Sequence, residues 1–385
     1  MRNEPLYHQL EGILRCPITK ENLRLLSSDE IVEINDRVSK EELAHKDGTK
    51  IRTALETGFI SSGGGYAYAV IEGVVVLLPN LAIPLDGRAN NGQDSLSPEE
   101  KVVQDFYDQI GWRKGEADTA QFVDALKWED LRPVAGEYVH QCHLRVSRYL
   151  KPHGKYFLDA GSGPIQYDEY LTYSAGYEFR ICLDLSLLAL REAQKKLGEK
   201  GIYILGDITN IPLQDGTVDG AVAIHVIYHV PEDKQLTAIR EIHRVLKLDS
   251  SATIVYSWGT HSSLFVDFFL FPIKLKKAFK KLLQKLRSYS KSLFLKLNKQ
   301  QPKPRASLPE KPYHHTHDYA YFVSHLKDLK FSILVWRSVG TAFTRSYIHS
   351  LIFGKQIMRW IFHLEDRFPR LGGRIGQYPL FIIEK

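Results

Sequence analysis

Three carboxylates, a pair of glycines and a histidine stand where this chain could do chemistry. Asp159 stands near the end of the apolar run Tyr156–Ala160, which is followed at once by Gly161-Ser162-Gly163-Pro164. Asp184 closes a second apolar run, Asp207 follows a third and His229 follows a fourth. A Gly-x-Gly turn lets a backbone come close to a bound molecule, because no Cβ intervenes. No lysine or hydroxyl pair follows as in a G-x-x-x-x-G-K-[ST] loop, so the turn does not read as a nucleoside triphosphate site. A dinucleotide turn needs a third glycine for close helix–strand packing, and here Gln166 stands in that place and Pro164 sits inside the turn. The carboxylate of Asp159 would repel a pyrophosphate and attract a cationic ligand.

Such residues need a scaffold. Apolar strand-like runs occur at 155–160, 177–184, 201–206, 219–226, 251–258, 331–340 and 378–385. Helical patterns occur at 98–109, 118–128, 135–150, 186–199 and 232–246, with a helix also expected around "QYDEYLTYS" after the glycine turn. Strands alternating with helices imply an α/β fold with a mostly parallel sheet covered on both faces, here Rossmann-like and seven-stranded. Residues 1–84 form a small β-rich unit, and "LDGRANNGQDSLSPEE" makes 85–97 a linker by composition. Residues 98–385 form the second domain, with an insertion over 259–312.

In this order and spacing the motifs resemble those of the class I S-adenosylmethionine-dependent methyltransferases, with a core similar to the ubiquinone- and menaquinone-type enzymes. "LDAGSGP" resembles the first motif, "CLDLS" the second, "GDITNIPLQDGTVDGAVAIHVIYHV" the later ones, and "REIHRVLKLDSSATIVYSW" the helix, turn and fifth strand. The resemblance implies S-adenosyl-L-methionine as cofactor. It assigns Asp159, Gly161 and Gly163 to the methionine part, Asp184 to the ribose hydroxyls and Asp207 to the adenine amino group. Methyl transfer from a sulfonium needs alignment and a dry pocket, and needs a base only when the acceptor carries a proton. His229 is the candidate base. Tyr107 and Trp112, in "FYDQIGW", are candidate pocket aromatics. His314 and His317, in "YHHTHDY", are candidate acceptor contacts; no cysteine or acid stands beside them at metal-ligand spacing, so no metal is expected.

The chain carries 51 Lys and Arg against 45 Asp and Glu, but twelve of the cations lie between Asp267 and Glu310 with no acid among them. Within that stretch apolar residues recur at 275, 279, 282, 286, 289, 293 and 297, a helical spacing with one apolar and one basic face. Such a helix suits a membrane interface, so peripheral membrane contact through 264–300 is expected. Nucleic acid is the less favoured partner, since few aromatics stand at stacking positions. "RCPITKENLRLL" and "YAVIEGVVVLLP" resemble a small zinc-ribbon-like domain found with some methyltransferases, including ones acting on RNA. Its metal site is degenerate: Cys16 stands alone, Thr19 replaces its partner and "SSGGG" replaces the second pair. Three dispersed cysteines and no apolar leader in "MRNEPLYHQL" give the expectation of a cytoplasmic protein. The function expected is methyl transfer to a small or lipophilic acceptor. The alternatives are an RNA methyltransferase and a non-catalytic binding subunit.

Overall fold

The computed structural model describes residues 4–86, 96–115, 121–259 and 311–385, with the isolated helical positions 271, 275 and 279. Most of the expected linker and of the basic amphipathic segment lies outside the described residues.

The amino-terminal unit supplies strands Leu23–Leu25 (β1), Gly58–Ser61 (β2), Tyr66–Ile71 (β3), Val74–Val76 (β4) and Ile83–Pro84 (β5). The seven expected runs form Gly154–Ala160 (β6), Tyr177–Asp184 (β7), Gly201–Leu205 (β8), Gly220–Ile224 (β9), Ser251–Val255 (β10), Lys330–Arg337 (β11) and Tyr378–Glu384 (β12). All belong to one sheet of order β1-β2-β3-β4-β8-β7-β6-β9-β10-β12-β11, with β5 on β3. The sheet therefore has twelve strands, not seven.

The reason lies in "VVVLL" at 74–78. A continuous apolar run is what a strand covered on both faces requires. β4 pairs in parallel with β8, Val74 opposite Tyr203 and Val76 opposite Leu205. Val74 and Val76 pack on one face with Cys182, Tyr203 and Leu205. Val75 and Leu77 face the other way into the main core. An apolar edge at β8, a template for unwanted pairing, is thereby covered.

β8, β7, β6, β9 and β10 run parallel, and the antiparallel β12 closes the order beside β10. The order reverses between β6 and β9, so the crevice above their carboxyl ends is the place where such a sheet takes a ligand. Residues 98–106 form a helix started by a Ser97–Glu100 capping box, and Ser186 caps the helix Leu187–Leu197. The segment expected as a helix around "QYDEYLTYS" is a tighter 3₁₀ turn, Asp168–Ser174. There the carbonyl of Tyr170 is taken by Arg180 Nη1 at 2.6 Å.

Candidate active site

The carboxyl edge of β6–β10 opens into a cavity of about 790 Å³. Asp159, Gly161, Gly163, Asp184, Asp207, Tyr107, Trp112, His229 and His314 all line it; His317 is not among the lining residues. The His317 amide instead donates to the Tyr256 hydroxyl at 3.0 Å, and its ring stacks on Tyr321.

The glycine turn is built against its neighbours. Gly161 has φ +72° and Gly163 has φ +53°, values that favour glycine. A Cβ on Gly161 would lie 2.4 Å from Val226 Cγ2, and one on Gly163 would lie 3.0 Å from Trp112 Cζ2. The amide of Gly161 donates to the Leu183 carbonyl at 2.7 Å, holding the turn against the end of β7. The Gly163 amide donates to Asp184 Oδ2 at 2.8 Å, and the Ser186 amide donates to Asp184 Oδ1 at 2.9 Å. Each oxygen of Asp184 keeps a lone pair for a further donor. Burial raises the Asp184 pKa to about 6, against the pull of those two amides.

Asp207 caps the turn Ile208–Asn210. It accepts from the Thr209 amide at 2.8 Å and the Thr209 hydroxyl at 2.6 Å, while burial raises its pKa. Above it, Lys234 Nζ bonds Glu100 Oε1 at 2.8 Å, tying the helix 98–106 to the rim. That helix runs on into a π-turn, Tyr107–Gly111, a wider turn common at functional sites. The turn folds the Tyr107 ring back to stack on Trp112 at 4.7 Å and 19°.

His229 Nδ1 lies 2.6 Å from the Tyr313 carbonyl, an acceptor only, so Nδ1 carries the proton. Nε2 is then the lone-pair side, facing the cavity and the Tyr107 hydroxyl at 3.3 Å. Burial lowers the His229 pKa to about 4, so the ring is neutral at pH 7.

Residues 158–254 match the family model described as a methyltransferase domain. The matched segment holds the glycine turn, Asp184, Asp207 and His229. No curated protein matches the chain at a significant level. Among solved structures it is similar to YcgJ from Bacillus subtilis, at 15% identity over 64% of this chain and 99% of that one, with a TM-score of 0.37. A chain from the Haloferax volcanii complex of the Trm112 methyltransferase activator with a methyltransferase is 13% identical over 65% and 91%, with a TM-score of 0.38. The [4+2]-cyclase SpnF is 14% identical over 72% and 87%, with a TM-score of 0.37.

The matched segment also contains a buried pair that the sequence reading did not find. Arg180 Nε donates to Asp159 Oδ2 at 3.1 Å, with Nη2 on the same oxygen. Asp159 thus enters the cavity wall already neutralised, a different setting from a free carboxylate awaiting an ammonium. The signal was present: a guanidinium inside the apolar run "YEFRICLD" must have a buried partner.

Beyond His229 the wall is polar. Arg337 grips Glu129 through both fork nitrogens at 2.8 and 2.9 Å, and this cation holds the Glu129 pKa down to about 2. His143 and His225 line the same side, and burial lowers both of their pKa values, that of His225 to about 3. His225 has φ +61°, a strained backbone for a residue that is not glycine. Asp124 sits near Tyr107 with its pKa raised to about 6 by burial. Glu129, Asp124 and Arg337 lie outside any motif, so spacing could not reveal them.

In the amino-terminal unit, Cys16 is held by hydrogen bonds. Its buried thiol lies 3.1 Å from the Tyr68 hydroxyl and accepts the Thr19 amide at 3.3 Å. Ser61, in the segment that replaces the second pair, accepts the Tyr66 amide at 3.2 Å through its hydroxyl.

Proposed function

We propose that this chain transfers the methyl group of S-adenosylmethionine to a small, lipophilic acceptor that reaches the cavity from an anionic membrane surface. The observation that carries the donor assignment is the glycine turn locked to Asp184. Its two glycines leave room that a Cβ would fill, and its carboxylate offers paired acceptors to a vicinal diol. Asp184 would hold the ribose, Asp207 and the neighbouring turn the adenine, and the Gly161–Gly163 backbone the methionine part. When bound, the donor supplies an electrophilic methyl on a sulfonium.

The chain's own residues do the rest. Tyr107 and Trp112 roof the cavity and exclude water. His229 presents an Nε2 lone pair, kept on that nitrogen by the Tyr313 carbonyl. A pKa near 4 makes it a weak base, suited to orienting an acceptor hydroxyl rather than to removing its proton. Asp124 is better matched to proton removal.

The membrane reading rests on the surface beside the mouth. Trp128 lines the cavity and is 46% exposed. Its carbonyl accepts from Thr341 Oγ1 at 2.6 Å, which joins it to the helix Thr341–Tyr347. That helix leads to Leu351, 97% exposed, Phe353, 73% exposed, and Trp360, 63% exposed. Apolar side chains so open to water suit a headgroup boundary. Residues 341–375 hold six Lys or Arg against two acids, which favours an anionic surface. Phe271, Leu275 and Phe279, each at a helical position, are also exposed.

The test is incubation with radiolabelled S-adenosylmethionine and fractionated cell extract. Label is expected in the organic phase. Label confined to RNA, with binding that falls steeply as salt rises, would favour the RNA alternative instead.

A further inference from the structure

Beside the cavity, three side chains converge that neither the cavity nor the core accounts for as a group. Residues 311–318 lead from the rim, without regular secondary structure, into the helix Tyr319–His325. The rings of His315 and His317 lie side by side, 4.8 Å between centroids. The segment is firmly held. The His315 amide donates to the Tyr228 carbonyl at 2.9 Å, and Gln235 Nε2 donates to the His315 carbonyl at 3.0 Å. Glu232 comes from the turn after β9, and its amide donates to the Tyr313 hydroxyl at 3.2 Å.

One ligand atom from each of Glu232, His315 and His317 lies within 4.8 Å of the others. His315 Nε2 is already 3.4 Å from Glu232 Oε1. Ligands about 2.1 Å from a metal sit roughly 3.0–3.5 Å apart in tetrahedral or octahedral geometry. That pair is at coordination spacing, and a ring nitrogen of His317 lies within 4.8 Å of both atoms.

We propose that Glu232, His315 and His317 bind a divalent first-row transition cation. Two imidazoles and one carboxylate select a borderline metal such as zinc or iron(II), not magnesium or calcium, which prefer all-oxygen ligands. Three protein ligands leave positions open, and His315 lines the cavity. The cation would fasten the segment that delivers the Tyr313 carbonyl to His229, and would set the electrostatics of the rim. The proposal reverses the expectation of no metal. Glu232 lies 83 residues before His315, a distance no local ligand spacing reveals. It does not depend on the methyl donor.

The test uses the full chain, stripped with chelator and titrated with zinc by calorimetry, and with cobalt(II) by visible absorption. One equivalent is expected to bind at micromolar affinity or tighter, with cobalt giving d–d bands. Glu232→Gln and His315→Ala should each weaken binding at least tenfold. His349→Ala, an exposed histidine elsewhere, should leave it unchanged. Glu232 is exposed, so its variant keeps the fold, and matching thermal unfolding would verify that. No zinc binding by the wild type, or equal affinity in Glu232→Gln and His315→Ala, would overturn the site.

Discussion

Replacing Arg180 with methionine isolates what Asp159 does in the absence of a ligand. Both groups are buried, and two guanidinium nitrogens converge on Asp159 Oδ2. Methionine fills similar space but leaves the carboxylate without its cation. An uncompensated buried charge of this kind costs about 3–5 kcal/mol. The Tyr170 carbonyl also loses its 2.6 Å partner, adding about 1–3 kcal/mol. The loss should therefore be near 5 kcal/mol at pH 7. Urea unfolding at pH 7 measures this directly. Asp159→Asn with Arg180→Met should recover most of the loss, remaining below wild type by the cost of the unpartnered Tyr170 carbonyl. A single variant within about 1 kcal/mol of wild type at pH 7, or a double variant no more stable than the single one, would refute the reasoning.

Three further outcomes follow from the same geometry. Gly161→Ala forces a Cβ to 2.4 Å from Val226 at φ +72°, so about 1–2 kcal/mol of backbone strain adds to a displaced turn; S-adenosylhomocysteine affinity should fall at least tenfold by calorimetry, and an unchanged affinity would contradict the cradle. Deleting residues 1–84 strips β4 from β8 and exposes Tyr203 and Leu205, so the remainder should aggregate in size-exclusion chromatography; a folded monomer would show that the sheet does not need the unit. Burial places the Asp184 pKa at about 6, and a diol donates to its ionised form; nucleoside affinity should weaken below pH 6, by up to tenfold per unit, and level off above pH 7, whereas a flat profile from pH 5 to 7 would remove Asp184 from the ribose site.

The elements that could be read in the sequence were those whose signal is local. Apolar runs with Asp159 and Asp184 at or near their ends marked strands, and the glycine turn between them marked the ligand edge, because both depend on neighbours in the chain. What the sequence hid depends on partners far away. "VVVLL" reads as a strand, but that it pairs with β8 depends on an edge more than 120 residues later, Val76 meeting Leu205. Arg180 announced a buried partner without naming Asp159. Glu129 and Arg337 meet across 208 residues, and neither belongs to a periodic pattern. His229 was visible as a candidate, but its tautomer comes from a carbonyl on the returning segment, Tyr313, which no motif includes.

The account rests above all on the Asp184–Gly163 turn being a nucleoside site. The measurement that tests it most directly is calorimetric titration of the full chain with S-adenosylhomocysteine, for the wild type and for Asp184→Ala. The account predicts one equivalent bound by the wild type at micromolar affinity, and a loss of at least a hundredfold in the variant, about 2.7 kcal/mol. A folded wild type that binds none would contradict it, as would a variant that binds equally well.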